Sequence, residues 1–165
     1  MKKRSRYRPR ELILDTMAWL RAGMTRLEEC SDGTTLKIRN HDAMNSLRLG
    51  AATYESINAI IHAMNVAEAL AKRGVGEEWS KEITAAQDHL FTLAQRGVKN
   101  GYKFIVRGEE LKALNLAMEI HDAQLDAVTV RELEKAMSYV LEVKRQRKMR
   151  SIETKPNELV QNQSQ

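Results

Sequence analysis

The sequence predicts a mainly α, single-domain bundle of about four to five helices, with a small β-hairpin near residues 25–39. Three observations support this fold class. Only two Pro and eight Gly interrupt the 165 residues, so few positions break a helix. Aromatic residues make up only 5% of the chain, which argues against a β-sandwich or barrel. Apolar residues recur at helical spacing in segments that short loops separate, a pattern typical of antiparallel helix packing.

The first predicted helix begins near Pro9, because proline is well tolerated in the first turn of a helix. Its apolar stripe ends before Gly23. The stripe consists of Leu12, Ile13, Met17 and Leu20, with Trp19 beside it. These positions recur every three or four residues, the spacing that places side chains on one face of a helix.

Residues 25–39 change character and carry the predicted hairpin. The stretches TRLEE and TTLKIR alternate loosely between apolar and polar residues, and they flank CSDG. The Asp32-Gly33 pair in that stretch is a turn signal typical of hairpins. Asn40 then has the character of an N-cap for a helix over HDAMNSLRLG.

Four further helical stripes are predicted after residue 50. Thr53 is the candidate N-cap of the first, while Thr129 and Glu132 form the T-x-x-E pattern of a capping box before the last. The stripes are Ile57, Ile60, Ile61, Met64, Ala67 and Ala71; Trp79, Ile83, Ala86, Leu90, Leu93 and Ala94; Leu111, Leu114, Met118 and Leu125; and Leu133, Met137, Val140 and Leu141. Between the second and third of these lies YKFIV, residues 102–106, which is either a connection or a third strand beside the hairpin.

Positive charge is concentrated at two ends of the chain. Residues 1–10 carry six cations and residues 144–150 carry five, and neither segment contains an acidic residue. The chain has a net charge of +5 and residues 151–165 contribute −1 of it, so residues 11–143 are left with a net charge of −5. This segregation predicts a flexible basic arm (1–10), a helical domain (11–150) and a disordered polar tail (151–165).

The two basic segments are candidate nucleic-acid contacts, because flexible Lys and Arg side chains neutralise phosphates and release counterions. The predicted phosphate contacts are Lys2, Lys3, Arg4, Arg6, Arg8 and Arg10 in the arm, with Tyr7 available to stack on a base, and Lys144, Arg145, Arg147, Lys148 and Arg150 in the second patch. Alternatively, both segments are solvated ends, the second one favoured by the dipole of its helix. No zinc-finger, RNP or leucine-zipper pattern is present.

Catalytic and metal-binding patterns are weak. Glu68, His121 and Asp122 fall on or beside apolar stripes and would be the ligands of a metal-dependent enzyme. The E-x-x-H spacing of helical metal sites is missing, so buried hydrogen bonds or a position at the core edge are the favoured interpretation. Cys30 is the only cysteine, and no catalytic serine motif or phosphate loop occurs. We therefore expect no enzyme activity, no metal and no cofactor.

Compartment and assembly are constrained only loosely. No apolar run approaches the roughly 18 residues of a membrane span, which predicts a protein without membrane contact. A single thiol fits a reducing compartment, so we expect a cytoplasmic location. A homodimer is the default expectation for an oligomer, although no residue pattern specifies it.

The segments KRSRYRPR, LKIRNHDAM and ELKALNLAMEIHDAQLDAVTVRELEKAM give the chain a recognisable overall pattern. Over most of residues 2–143 it resembles small uncharacterised proteins of proteobacterial prophages, including filamentous-phage-like elements. The resemblance implies a mobile-element role as a replication accessory, a regulator or a modifier of host defence, and it carries no site residues. Two functions follow as hypotheses: a regulatory protein that contacts nucleic acid through its basic ends, or a helical interaction module that acts as an inhibitor or adaptor of a host complex.

Overall fold

The computed structural model describes residues 23–146, and this part of the chain is mainly helical. The bounds of its five α-helices are Ser31–Arg48 (α1), Tyr54–Ala71 (α2), Ser80–Lys99 (α3), Gly108–Ala127 (α4) and Val130–Arg145 (α5). Two short 3-10 helices, Leu27–Glu29 and Glu77–Trp79, precede α1 and α3. The predicted helical bundle is therefore confirmed. The predicted arm (1–10) and tail (151–165) lie outside the described residues, as does the first predicted helix up to residue 22.

Helix α2 is the centre of the bundle and packs against each of the other four helices. Ten of its 18 residues are buried, far more than the single stripe of an ordinary amphipathic helix. Its sequence explains this position, because YESINAIIHAMNVAEALA is apolar or uncharged almost all the way round. The small side chains of Ala63, Ala67 and Ala71 allow neighbouring helices to approach closely.

The predicted hairpin over residues 25–39 is wrong, because between residues 23 and 146 there is no β-strand. Arg26 forms only an isolated antiparallel bridge with Thr129. Leu27 anchors the segment instead: it is buried, and its N–H donates to the carbonyl of Val128 at 3.0 Å. The Asp-Gly pair then lies in the first turn of α1, where the negative charge of Asp32 interacts favourably with the positive end of the helix dipole. Gly33 is required by a close approach rather than by a turn, since an added Cβ would collide with the Leu27 carbonyl.

Asn40, predicted as an N-cap, lies inside α1 and is 2% exposed. The helix begins at Ser31, nine residues before the predicted cap, and the hydroxyls of Thr35 and Ser46 are hydrogen-bonded within it. Each donates to the carbonyl four residues before it, that of Ser31 or of Asp42. The TTLKIR stretch, predicted to be a hairpin strand, therefore lies within this helix.

The two predicted caps after residue 50 are confirmed. Thr53 Oγ1 accepts from the Ser56 N–H at 3.2 Å and caps α2. Thr129 caps α5 reciprocally with Glu132: its own N–H donates to Glu132 Oε2 at 2.8 Å, and its Oγ1 accepts from the Glu132 N–H at 3.4 Å. The hydrogen bonds from the backbone and hydroxyl of Thr129 hold the pKa of the Glu132 carboxyl below its usual value.

The YKFIV segment is a connection between α3 and α4, with no strand pairing inside the described range. Phe104 folds back onto Gly97 in the last turns of α3, where an added Cβ would overlap the phenylalanine ring. Arg96 and Glu110 stabilise this connection with a bidentate ion pair, in which Nη1 lies 2.8 Å from Oε1 and Nη2 lies 2.7 Å from Oε2. Arg96 also donates to the carbonyl of Ile105.

Helix α5 buries a narrower stripe than its sequence predicted. Leu133, Ala136 and Val140 are buried against α2, as a spacing of three and four residues requires. Met137 and Leu141, predicted as core residues, are instead 36% and 60% exposed. Their exposure leaves an apolar strip along one side of α5, next to the buried one.

Candidate nucleic-acid interface

Two of the twelve predicted nucleic-acid contacts, Lys144 and Arg145, belong to the described part of the chain. Both lie in the last turn of α5 and are exposed. The others lie outside the described residues: Lys2, Lys3, Arg4, Arg6, Tyr7, Arg8, Arg10, Arg147, Lys148 and Arg150. The last turn of α5 is thus the part of the predicted interface that belongs to the described residues.

Arg145 already has an acidic partner on its own helix. Its Nη2 lies 2.8 Å from Glu142 Oε2, and its side chain is 80% exposed. Ion pairs this exposed are weak, at most about 1 kcal/mol, and a competing phosphate can replace the carboxylate. Arg145 is therefore available to an anion at small cost.

The charge of Lys144 acts on a histidine of α2 together with the charge of an arginine of α1. The pKa of His62 on α2 is lowered, first by burial and then by the positive charges of Arg39 on α1 and Lys144 on α5. The charges of Arg39 and Lys144 therefore act on the same imidazole. We call Arg39, His62 and Lys144 the three-helix basic cluster.

The three-helix basic cluster was missed by sequence reasoning, except for Lys144. Arg39 stands in LKIRN, which was interpreted as a hairpin strand, and His62 stands inside an apolar stripe. Their sequence separations from Lys144 are large, so only the packing of α1, α2 and α5 brings them together. His62 stays neutral near neutral pH and offers an anion an N–H donor rather than a full charge.

Of the three residues proposed as metal ligands, Glu68 lies on α2 while His121 and Asp122 lie on α4, and Glu68 and Asp122 each have another partner. Glu68 is half-buried and accepts from Gln87 Nε2 at 3.0 Å, while its other oxygen lies 2.6 Å from Lys72 Nζ. Asp122 pairs with His41 Nε2 at 2.6 Å across the α1–α4 contact. From residue 23 to residue 146, no group of three or more His, Cys, Asp or Glu side chains could hold a metal ion.

His121 is the most buried ionisable group of that set, at 1% exposure on the inner face of α4. Burial lowers the pKa of its imidazole to about 4, against opposing contributions from Gln124 and Asp122. Positive charge on His62 and Lys37 lowers the same pKa further. Its Nδ1 is buried without a hydrogen-bond partner among the described residues. His121 is therefore neutral at physiological pH.

The outer face of α4 carries a shallow, open depression. Leu111 and Leu116 border it together with Gly108, and Leu116 is 42% exposed. Lys112 and Glu119 add one charge of each sign at its edge. Such an open apolar surface suits a contact with another protein better than enclosure of a small molecule.

Comparisons with known proteins give no relative: no family model matches the chain, and neither a curated protein nor a solved structure does. Across the described residues, no helix is long and apolar enough to cross a membrane.

Proposed function

We propose that this protein is a non-enzymatic accessory or regulatory protein of phage type that contacts nucleic acid through its basic N-terminal arm and the basic end of α5. The observation that carries the proposal is the charge segregation. Eleven cations occupy residues 1–10 and 144–150 without one acidic residue, and the body between them has a net charge of −5. An acidic body repels a phosphate backbone, so binding would be confined to these ends.

Binding of this kind is electrostatic and insensitive to base sequence. Each phosphate that a cation neutralises releases condensed counterions, so affinity falls steeply as salt rises. For duplex DNA the slope of log K against log salt is about −0.9 per phosphate contact. The number of contacts made by each basic end can therefore be measured from changes in that slope.

The three-helix basic cluster supports a larger contact area than the C-terminal run alone. Arg39 is exposed on α1, and its charge acts on His62 together with that of Lys144. An anion bound there would be offered a guanidinium, an ammonium and the N–H of His62. Arg39 is a better phosphate ligand than a second lysine, because its planar fork can donate two parallel hydrogen bonds.

The test is fluorescence anisotropy with labelled single-stranded DNA, duplex DNA and RNA across a salt series. The full chain is compared with a variant that begins at Glu11. We expect micromolar or tighter binding by the full chain, and a salt slope on duplex DNA that becomes shallower by up to about five units without the arm. No binding by the full chain at near-physiological salt would contradict the proposal.

A second comparison tests the end of α5. The double variant Arg39→Gln/Lys144→Gln should lose about two units of salt slope if both side chains contact phosphates. The matched control is Lys81→Gln/Lys112→Gln, which removes the same charge from exposed positions on α3 and α4. Equal losses in the two variants would mean that only net charge matters and that the three-helix basic cluster is not a contact.

The alternative function is a helical interaction module that inhibits or adapts a host protein complex. The depression on α4 favours it, because Leu111 and Leu116 present apolar surface on an acidic body. This alternative predicts that a host partner binds the variant lacking residues 1–10 as tightly as the full chain. It also predicts that Leu116→Ser weakens that binding, whereas Leu141→Ser on α5 does not.

A further inference from the structure

The negative charge of the body is not uniform. Residues 89–108 carry four Lys or Arg residues and no acidic one, although residues 11–143 as a whole have a net charge of −5. These cations are Arg96, Lys99, Lys103 and Arg107. Glu110 neutralises Arg96, whereas the other three side chains are exposed. Residues 99–107, which we call the basic connection, are therefore an exception to the repulsion that the acidic body exerts on phosphates.

Two tyrosines meet at the basic connection. The ring of Tyr102 lies 6.2 Å from that of Tyr54, measured between the centroids, and the two ring planes are 82° apart. Tyr102 is partly buried against the hydrophobic core, whereas Tyr54, the first residue of α2, is 50% exposed. The edge-to-face contact therefore fixes the ring of Tyr54 next to the basic connection and leaves half of this residue open to solvent.

The backbone of the basic connection is held in a strained shape. Tyr102 has a φ of +64°, the only positive φ of a non-glycine residue between residues 23 and 146. Its N–H donates to the Gly97 carbonyl at 2.8 Å, and Arg96 donates to the Ile105 carbonyl at 2.7 Å. Strained residues of this kind persist only where their surroundings impose them, and they are concentrated at functional sites. Since glycine would adopt this φ without strain, what Tyr102 contributes is its ring.

The charges around Tyr54 favour a phosphate backbone. Within the described part of the chain, neither Lys99 nor Lys103 forms an ion pair, so a phosphate would displace no carboxylate there. Two exposed carboxylates, Glu55 and Glu109, adjoin Tyr54 and the basic connection in the sequence. The three exposed cations outnumber them, so the surface keeps a net positive charge.

We propose that Tyr54 and the basic connection form a binding site for single-stranded nucleic acid. An unpaired base would stack on the open ring of Tyr54, and the three exposed cations would neutralise the phosphates next to it. Bases inside a duplex are stacked on one another, so this site selects single strands, whereas the basic ends attract any phosphate backbone. The inference rests on the proposed function only in that its ligand is also a nucleic acid.

Anisotropy titrations of the full chain with a labelled oligothymidylate, and with a duplex of the same length, test the role of Tyr54. Tyr54→Ala should weaken single-strand binding by about 5- to 150-fold, the usual range for one stacked base, and leave duplex binding unchanged. Tyr54→Phe keeps the ring and should bind like the wild type. The matched control Tyr139→Ala removes a tyrosine of similar exposure from α5 and should change neither affinity. Circular dichroism verifies that each variant is folded.

A second variant tests the cations and leaves the tyrosine rings in place. Lys99→Gln/Lys103→Gln should make the salt slope on the single strand shallower by about 1.4 units, since each phosphate contact contributes about 0.7. The matched control is Lys81→Gln/Lys112→Gln, which removes the same charge from exposed positions outside the basic connection. This comparison decides the matter if Tyr54→Ala fails to fold.

Unchanged single-strand affinity in a folded Tyr54→Ala variant, or equal slopes in the two lysine variants, would overturn the inference. If single-strand binding is then lost on removal of residues 1–10, the proposed function stands and this site is excluded. Conversely, single-strand binding that depends on Tyr54 and persists without residues 1–10 would support this site and contradict the role proposed for the arm.

Discussion

The burial of His121 should make the protein progressively less stable below pH 6.5, because the unfolded chain is protonated there at this histidine and the folded protein is not. The imidazole has a pKa of about 4 in the folded protein, because burial disfavours its charged form. The ordinary value is 6.5, which applies to the unfolded chain. Between these two pH values the unfolded chain binds one more proton than the folded protein does, so the free energy of unfolding falls with falling pH.

The size of this effect follows from the difference between the two pKa values. Each pH unit in the window is worth about 1.36 kcal/mol, so the loss reaches roughly 3 kcal/mol between pH 6.5 and pH 4. Glu110 and Glu132 have lowered pKa values and an ordinary value of 4.5, so their stabilisation is lost only below about pH 4.5. Measurements between pH 7 and pH 5 therefore isolate the histidines, and there His121 accounts for roughly 2 kcal/mol.

The assay is urea unfolding at a series of pH values, followed by circular dichroism. His121→Gln and His121→Met remove the titrating group and retain most of its volume. Both should flatten the pH dependence by about 1.36 kcal/mol per unit below pH 6.5, whatever they do to absolute stability. An unchanged slope in both His121 variants would refute this account of the burial of His121.

Three further substitutions test local packing by the same unfolding assay. Gly97→Ala should destabilise the protein by about 1–3 kcal/mol, although alanine is ordinarily the better helix former, because the new methyl group would overlap the Phe104 ring. Gly108→Ala, with open space around its Cβ, should not. Glu110→Gln should cost about 2–4 kcal/mol, since it leaves the partly buried guanidinium of Arg96 without its carboxylate. Thr129→Ala should cost about 1 kcal/mol through loss of the α5 cap, and a cost near zero would mean that tertiary contacts alone fix this helix start.

Features set by neighbouring residues could be predicted from the sequence. The stripe of α2 and the caps at Thr53 and Thr129 depend on residues a few positions apart, and all three predictions agree with the structure. The buried stripe predicted for α5 was too wide, because helical spacing alone does not say how much of an apolar face a neighbouring helix covers. Met137 and Leu141 belong to that face without being buried.

The hairpin prediction failed because the Asp32-Gly33 pair is compatible with two local structures. An Asp-Gly pair marks a hairpin turn, but an acidic residue and a glycine also fit the first turn of a helix. The hydrogen bond from Leu27 to Val128 favours the helical alternative, and that contact spans about one hundred residues. The three-helix basic cluster was beyond sequence reasoning for the same reason, since its residues meet only after α1, α2 and α5 have packed.

The three-helix basic cluster connects the proposed phosphate contact to the histidines of the interior. Burial lowers the pKa of His62, and the positive charges of Arg39 and Lys144 lower it further. Burial likewise lowers the pKa of His121, and a charged His62 adds to that effect. A phosphate bound between Arg39 and Lys144 would offset their charge, so the pKa of His62 would rise on binding. Binding free energy and proton uptake are reciprocal, so nucleic-acid affinity should then increase as pH falls through the pKa of His62 in the complex. A His62→Gln variant should lose this pH dependence while keeping its affinity at pH 7.5, and an equal pH dependence in both proteins would mean that phosphate binds elsewhere.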